Sequence, residues 1–183
     1  VRPFRFMAWG WYTFTHMRGT IVGVLRGGPS KEHEVSLNTG AEILKHLPKD
    51  KFTARDIYID RSGQWHMLGR PVTPAEALRS LDAVIVGLHG EYGEDGEVQK
   101  LLDRFGVPYT GSESFPSFIA MHKLMAKKKA EELGVLMPLY RDVDENSEVD
   151  AVLADVIRSF HQPVIVKPVR WGSSVGVSMV SGY

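Results

Sequence analysis

Short apolar runs that alternate with helix-like segments constrain the fold of this chain more than any other feature. "TIVGVL" (20–25) and "AVIVGL" (83–88) are rich in β-branched residues and are typical of buried strands. Helix-like segments follow each run, "SLNTGAEILKHL" ending at Pro48 and "GEVQKLLDRFG" ending at Gly106. Strands that alternate with helices favour a parallel sheet with right-handed crossovers. We therefore predict an open parallel α/β sheet over residues 19–114.

Further elements fill in this first domain. "FTARDIYID" alternates and predicts a second strand, and "VPYTGS" predicts a short one. "TPAEALRSL" predicts a helix with Thr73 as its N-cap and Pro74 at its first position. In the first helix the spacing places Ala41, Leu44 and Leu47 on one face.

Two glycine-containing loops follow strands of this sheet. One runs from Gly27 to Ser36, and the other, "HGEYGEDG", runs from His89 to Gly96. Ligands of open parallel sheets bind beyond the carboxyl ends of the strands, where both loops are expected. Their glycines indicate tight turns or a close approach to a ligand.

The pattern changes after residue 114. "FIAMHKLMAKKKAEELG" predicts one basic amphipathic helix that ends at Gly134, and "DVIRSF" closes a second helical stretch. "PVIVKPVRWGSSVGVSMV" predicts a strand, a loop and another strand. A lysine within "VIVKP" is costly to bury unless it meets an anion, and a "GSSVG" loop can direct N–H groups and hydroxyls at phosphate oxygens. The segment is not a Walker loop, because the Gly-Lys-Ser/Thr ending is absent.

Composition excludes several classes of function. Lys+Arg and Asp+Glu both number 22, so the zero net charge argues against a nucleic-acid-binding domain. The absence of cysteine excludes disulfides and thiolate chemistry. No apolar run is long enough to span a bilayer.

Residues 1–18 are aromatic-rich without periodicity, and we expect a disordered extension before a natural start at Met17; a membrane-touching arm is the alternative.

Four segments, in this order and spacing, carry a resemblance to a known family: "RGGPSKEHEVSLNTG", "LHGEYGEDGEVQKLLDRFGVPYTGS", "MHKLMAKKKAEELGVLMP" and "PVIVKPVRWGSSVGVSMV". From about Thr20 to its end, the chain resembles the N-terminal part of the D-alanine–D-alanine ligases of the ATP-grasp superfamily. The resemblance implies a Rossmann-like pre-ATP-grasp domain at 19–114 and the beginning of an α+β ATP-grasp domain, truncated, at 115–183.

The resemblance also implies a function. In that family ATP phosphorylates the carboxylate of one D-alanine with the help of Mg²⁺, and the amine of a second D-alanine attacks the acyl phosphate. The dipeptide enters peptidoglycan. A cytoplasmic enzyme, with D-alanine and ATP as ligands and a homodimer as an option for its assembly, is therefore expected.

Two residues resemble the family's first D-alanine subsite, namely Glu32 and His89. A carboxylate is the natural partner of a substrate ammonium group. Glu32 could instead be an acid that favours the start of a helix, which Ser36 could cap, and His89 could be structural. Glu94 and Asp95 could contact a ligand or organise their loop and the helix start that follows.

Five residues resemble the nucleotide site. Lys123 and Lys167 correspond to the two lysines that reach the phosphates, and Ser173, Ser174 and Gly176 to the phosphate-covering loop, with Ser173 also assigned a catalytic role. Lys123 could equally belong to a solvated, charged helix face, and "GSSVG" could be an ordinary hairpin loop.

The chain departs from the family pattern at His122, where an aspartate is usual, and at Lys100, where a glycine is usual. The family's magnesium ligands and second D-alanine subsite have no counterpart here, so no metal ligand is assigned and we expect the 183-residue chain alone to be inactive. Two alternatives stay open: an ATP-grasp ligase of another substrate, and a non-catalytic module that binds a ligand or partner.

Overall fold

The computed structural model describes residues 19–182, so the predicted extension at 1–18 lies outside the described residues. Five strands form one sheet in the order β4-β3-β2-β1-β5, with β1 (Thr20–Gly27) between β2 (Phe52–Ile59) and β5 (Ala83–Val86). Both neighbours run parallel to β1, which confirms the predicted α/β core of the sheet. "VPYTGS" adds only a single bridge, between Tyr109 and Val84, instead of the predicted strand.

The sheet is mixed, because the predicted parallel sheet continues into two antiparallel strands at one edge. β3 (Trp65–Met67) and β4 (Arg70–Val72) are antiparallel to their neighbours. Only residues 60–64 separate β2 from β3, which is too short for a crossover and suits a hairpin. The Asp60 carboxylate holds this turn by accepting bonds from the backbone N–H groups of Ser62 and Gln64 at 2.8 and 3.0 Å.

Three helices accompany the sheet, as predicted. They are α1 (His33–His46), α2 (Pro74–Leu78) and α3 (Glu97–Phe105). Thr73 caps α2 in a reciprocal capping box with Glu76, and Gly106 ends α3 with a left-handed φ of 66°.

Helix α1 buries a small, polar face. Its buried residues are His33, Ser36 and Gly40, whereas Ala41 is exposed and Leu44 only partly covered. A Cβ on Gly40 would collide with the Cβ of Arg26 on β1. The close approach of helix and strand therefore requires glycine, and the face predicted from the apolar spacing is not the buried one.

The apolar core lies in this first part of the chain. It is built from side chains of β1, β2, β3, β5, α2 and α3 and of the segments that follow β5 and α3: Leu25, Ile57, Ile59, Trp65, Ala77, Leu78, Val84, Leu88, Val98, Leu102 and Val107. Because β5 and α3 contribute to the same core, the "HGEYGEDG" loop between them is anchored at both ends.

The remaining chain forms α4 (Ser114–Met121), α5 (Lys123–Glu132), α6 (Val149–Ser159) and an antiparallel pair, β6 (Val164–Val166) and β7 (Ser178–Val180). The single helix predicted for "FIAMHKLMAKKKAEELG" is two helices. His122 interrupts it with an extended backbone, and its Nδ1 accepts a bond from the N–H of Met125, so that it caps α5.

Several large apolar side chains of residues 133–180 face solvent. They lie on α6, on both short strands and in the connections: Leu133, Leu136, Leu139, Val149, Leu153, Ile157, Ile165, Val166, Met179 and Val180. Within residues 19–182 no helix is long and apolar enough to cross a bilayer.

Candidate functional site

Two loops meet at the carboxyl edge of the parallel strands. Because β1 and β5 are adjacent, the segments that follow Gly27 and Val86 lie side by side. The buried hydroxyl of Ser36 joins them: it accepts a bond from the N–H of Gly27 and donates one to the carbonyl of Gly87, both at 2.9 Å. Ser36 therefore does not cap α1, as the sequence had allowed, but fixes the strand ends on which the site is built.

Glu32 points its carboxylate away from the helix that follows it. It occupies the N-cap position of α1 but makes no side-chain capping bond. Its Oε1 instead accepts a hydrogen bond from the hydroxyl of Ser173, in the "GSSVG" loop. A Cβ on Gly90 would lie 2.6 Å from its Oε2, and one on Gly172 would lie 3.4 Å away. Three loops thus converge on this carboxylate, and two glycines make room for it.

His89 lies beside Glu32 through a shared neighbour. The hydroxyl of Ser30 donates to the carbonyl of His89 at 2.7 Å and accepts from the N–H of Glu32 at 3.1 Å. The His89 ring has its Nε2 2.8 Å from the hydroxyl of Thr39 and its Nδ1 4.0 Å from a carboxylate oxygen of Glu94. Thr39 and Ser30 orient this histidine, and sequence reasoning missed both.

Glu94 and Asp95 bond the backbone of their own loop. Glu94 accepts from the N–H of Gly90 at 2.7 Å, and Asp95 accepts from the N–H groups of Tyr92 and Glu97 at 2.8 and 3.0 Å. These bonds favour the loop-organising interpretation over ligand contact. Burial raises the pKa of the Tyr92 hydroxyl, which accepts a bond from the indole of Trp65 and so anchors the loop on β3.

Gly96 joins this loop to the second part of the chain. It has a φ of 94°, and a Cβ there would strike the carbonyl oxygen of Ser114 at the start of α4. The third glycine of "HGEYGEDG" is therefore required both by its backbone conformation and by close packing.

The "GSSVG" loop has a strained backbone. Ser173 and Ser174 both have positive φ, at 45° and 60°, a conformation that is uncommon for residues other than glycine. Such strain collects at ligand-binding sites. A Cβ on Gly176 would lie within 3.0 Å of the ring of Trp171, so this glycine packs against the start of its own loop.

The two predicted phosphate lysines have different surroundings. The ammonium of Lys123, at the start of α5, donates a hydrogen bond to the carbonyl of Trp171 and is therefore not simply a solvated charge. Lys167 lies one residue beyond β6, not within the predicted strand, and it is exposed. Its exposure removes the desolvation cost that the sequence argument rested on, because the strand ends before it.

Trp171 joins the predicted substrate and nucleotide residues. The ammonium of Lys31 lies 3.9 Å from the centre of a Trp171 ring. Both residues line a small cleft with residues of the two sheet-edge loops and of the "GSSVG" loop: Ser30, Glu32, Gly90, Glu91, Gly172 and Val175. The structure thus brings Glu32 and Ser173 into contact and Lys123 onto their loop, whereas the side chains of Lys167 and Ser174 form no hydrogen bond or ion pair with these residues.

The described residues do not form a metal site. Among residues 19–182, no group of three or more histidine, aspartate or glutamate side chains is placed to hold a metal ion.

Two models of one protein family match the chain. The family model for the D-alanine–D-alanine ligase N-terminus matches residues 21–73 and 66–112, and the model for the C-terminus of these ligases matches residues 131–183. A D-alanine–D-alanine ligase of Geobacter sulfurreducens is 39% identical over 168 residues, which is 92% of this chain and 49% of the relative.

Solved structures of ligases with the same chemistry in their names also match the chain. The D-alanine–D-alanine ligase of Coxiella burnetii matches with a TM-score of 0.80 and 28% identity, over 88% of this chain and 56% of that one. The VanG D-Ala:D-Ser ligase of Enterococcus faecalis matches with a TM-score of 0.75 and 26% identity, over 91% and 57%. The chain spans about half the length of the curated relatives it matches. On these matches, and on the contact between its first and last motifs, the chain belongs to the D-alanine–D-alanine ligase family.

Proposed function

We propose that this protein acts as an ATP-dependent D-alanine–D-alanine ligase in which Glu32, His89 and Ser173 form the subsite of the first D-alanine. The observation that carries the proposal is the hydrogen bond from Ser173 to Glu32, between residues 141 positions apart in the sequence. It brings the "PSKEHEVS" and "GSSVG" motifs together beside the His89 loop. A shared site explains why these motifs, distant in the sequence, meet.

The roles of the residues follow from their charges and surroundings. The Glu32 carboxylate, between Gly90 and Gly172, offers a partner for the ammonium group of an amino acid. Thr39 holds His89 at the same edge, where its ring suits a polar contact with the substrate. Ser173 keeps the loop over this subsite.

The nucleotide is assigned to the other side of the loop. Lys123, Lys167, Ser174 and Gly176 are proposed to hold the phosphates of ATP, which supplies the phosphoryl group that activates the D-alanine carboxylate. The positive φ of Ser174 supports this assignment, because backbone strain collects at ligand-binding sites. Magnesium is part of the proposed chemistry, but no described residue is assigned to it.

The proposal includes several properties that the resemblance implies. These are a cytoplasmic location, a role in peptidoglycan synthesis, a homodimer, and a division of the chain into a domain at 19–114 and the beginning of a second domain at 115–183. Limited proteolysis checks the division: the first cuts are expected at residues 112–116 or 144–150, and a resistant core that crosses both segments would contradict it.

The test separates the two substrates. In the complete protein, Glu32→Gln keeps the shape of the side chain but removes its charge. We expect kcat/KM for D-alanine to fall roughly 10- to 150-fold, because a hydrogen bond to a charged group contributes about 1.5–3 kcal/mol. Lys167→Met should instead impair the use of ATP. Steady-state kinetics with D-alanine and ATP varied separately measures both effects.

Glu34→Gln is the matched control, because Glu34 is an exposed acid on the same helix that pairs with Arg61 at the surface. An equal effect of Glu32→Gln on both substrates would indicate a folding role. An unchanged use of both would remove Glu32 from the site. The 183-residue chain alone should neither hydrolyse ATP nor form dipeptide, and phosphate release that needs both magnesium and D-alanine would contradict this.

A second substrate is also considered. The match to a D-Ala:D-Ser ligase favours a ligase with the same first subsite and another acceptor. Competition between D-alanine and D-serine as acceptors in the complete protein distinguishes the two: a mixed dipeptide as the main product would support this alternative.

A further inference from the structure

Lys31 and Glu32 are adjacent in the first loop and contact two residues at the start of the segment 171–177, which contains the "GSSVG" loop. Lys31 places its ammonium 3.9 Å from the centre of the Trp171 ring, and Glu32 accepts the hydroxyl bond of Ser173. The two contacts are chemically independent, since one is a cation over an aromatic face and the other is a hydrogen bond to a carboxylate. Together they fix the register between the loops.

The cation over the ring suits an exposed position. A lysine ammonium is attracted by the negative face of an indole, and this attraction persists at the protein surface. Lys31 and Trp171 are both exposed, with Trp171 at 40% of its full accessibility. Gly176 packs against part of the Trp171 ring, and Lys31 adds a contact from the first loop to the same ring.

The backbone of Trp171 is held from the opposite side. Its carbonyl accepts a bond from the ammonium of Lys123, whose own N–H donates to the carbonyl of Val169 at 3.0 Å. Trp171 therefore connects α5 with the first loop. A displacement of its ring would carry Ser173, two residues further along, away from Glu32.

We propose that Lys31 and Trp171 are a pair of positioning residues that seat the segment 171–177 on the first domain and keep Ser173 within reach of Glu32. The pair touches neither reacting group. The effect of the pair on D-alanine binding rests on the proposed function. Its effect on the position of the loop does not.

Hydrogen exchange of the 183-residue chain tests the seating directly. Within the loop the N–H of Val175 donates to the carbonyl of Gly172, and the N–H of Val177 donates to that of Ser174, so both amides report on loop order. Lys31→Met should speed exchange of the segment 171–177 by about two- to fivefold, the size expected for the loss of a surface cation–π contact. Lys31→Arg keeps a cation over the ring and should restore slow exchange.

Controls separate the pair from general destabilisation. Lys49→Met removes an exposed lysine from the turn between α1 and β2 and should leave exchange of the segment unchanged. Trp171→Leu should match Lys31→Met, and the double variant should add nothing further, because both substitutions remove the same contact. Equal exchange in Lys31→Met and Lys49→Met, or failure of Lys31→Arg to restore it, would overturn the proposal.

Addition of D-alanine distinguishes the seating from the proposed function. If both are correct, D-alanine slows exchange of the segment in the unaltered chain and does so less in Lys31→Met. If D-alanine has no effect on any variant while Lys31→Met still loosens the loop, the pair stands and the D-alanine assignment fails. A third outcome is that the unaltered chain and Lys31→Met exchange at the same rate before D-alanine is added and are protected to the same extent by it. In that case the positioning role of Lys31 and Trp171 is refuted, and the D-alanine assignment stands.

Discussion

Replacement of Ser36 by alanine tests the joint between the two loops of the site. The Ser36 side chain is fully buried, and its hydroxyl serves the N–H of Gly27 and the carbonyl of Gly87 at once. Alanine leaves both backbone groups without this partner. A buried polar group left unsatisfied costs about 1–3 kcal/mol, so two such groups predict a loss of about 2–6 kcal/mol in the free energy of unfolding.

Urea unfolding followed by the fluorescence of Trp65, which is buried in the same core, measures this loss. At an m value of about 2 kcal/mol/M, the unfolding midpoint should fall by about 1–3 M. Ser80→Ala, at an exposed turn position after α2, is the matched control and should lie within about 0.5 kcal/mol of the unaltered chain. If Ser36→Ala were as stable as this control, the hydroxyl would not hold the strand ends and the argument would fail.

Three further outcomes are expected. Gly96→Ala should lower the thermal midpoint of the chain much more than Gly63→Ala. Both glycines have positive φ, but only a Cβ at Gly96 would strike the backbone of Ser114. Equal shifts of the two midpoints would contradict the close approach of Gly96 to Ser114. Thr73→Ala removes the N-cap of α2 and should cost about 1 kcal/mol in urea unfolding, whereas Thr73→Ser should cost much less. Burial raises the pKa of the Tyr109 hydroxyl to about 12 from an ordinary 10.0. The unfolded chain therefore releases this proton at a lower pH than the folded chain does, so the free energy of unfolding should fall as pH rises from about 10 to 12. Tyr109→Phe should reduce the dependence of the free energy of unfolding on pH in this range.

The sequence was sufficient for the parts of the fold in which local pattern and packing agree. β1 and β5 are apolar and contribute Leu25 and Val84 to the core, and Gly106 ends α3 as its position indicates. The face of α1 was mistaken because a glycine and two polar residues form its buried side, and hydrophobic spacing does not detect such a face. The break at His122 was missed because its imidazole caps the next helix, which apolar periodicity does not reveal.

For the candidate site, too, the sequence predicted some residues and missed others. Glu32 and Ser173 were predicted by resemblance, and their contact supports that prediction without testing it. The roles of Lys31, Thr39 and Trp171 depend on partners far along the chain, and no local pattern shows which lysine meets which ring. A lysine next to the predicted carboxylate and a tryptophan inside a glycine-rich loop were the only available signals.

The central position of β1 has a consequence for synthesis on the ribosome. Among the described strands this one is made first, and its partners arrive later: β2 begins at Phe52, and Val86 of β5 pairs with Leu25 some 60 residues after it. At roughly 5–20 residues per second, one edge of this apolar strand stays unpaired for about 3–12 s until its second neighbour is made. Pairing over such distances raises the contact order and slows folding. The nascent chain is therefore most exposed to aggregation, and most in need of a chaperone, before residue 86 has left the exit tunnel.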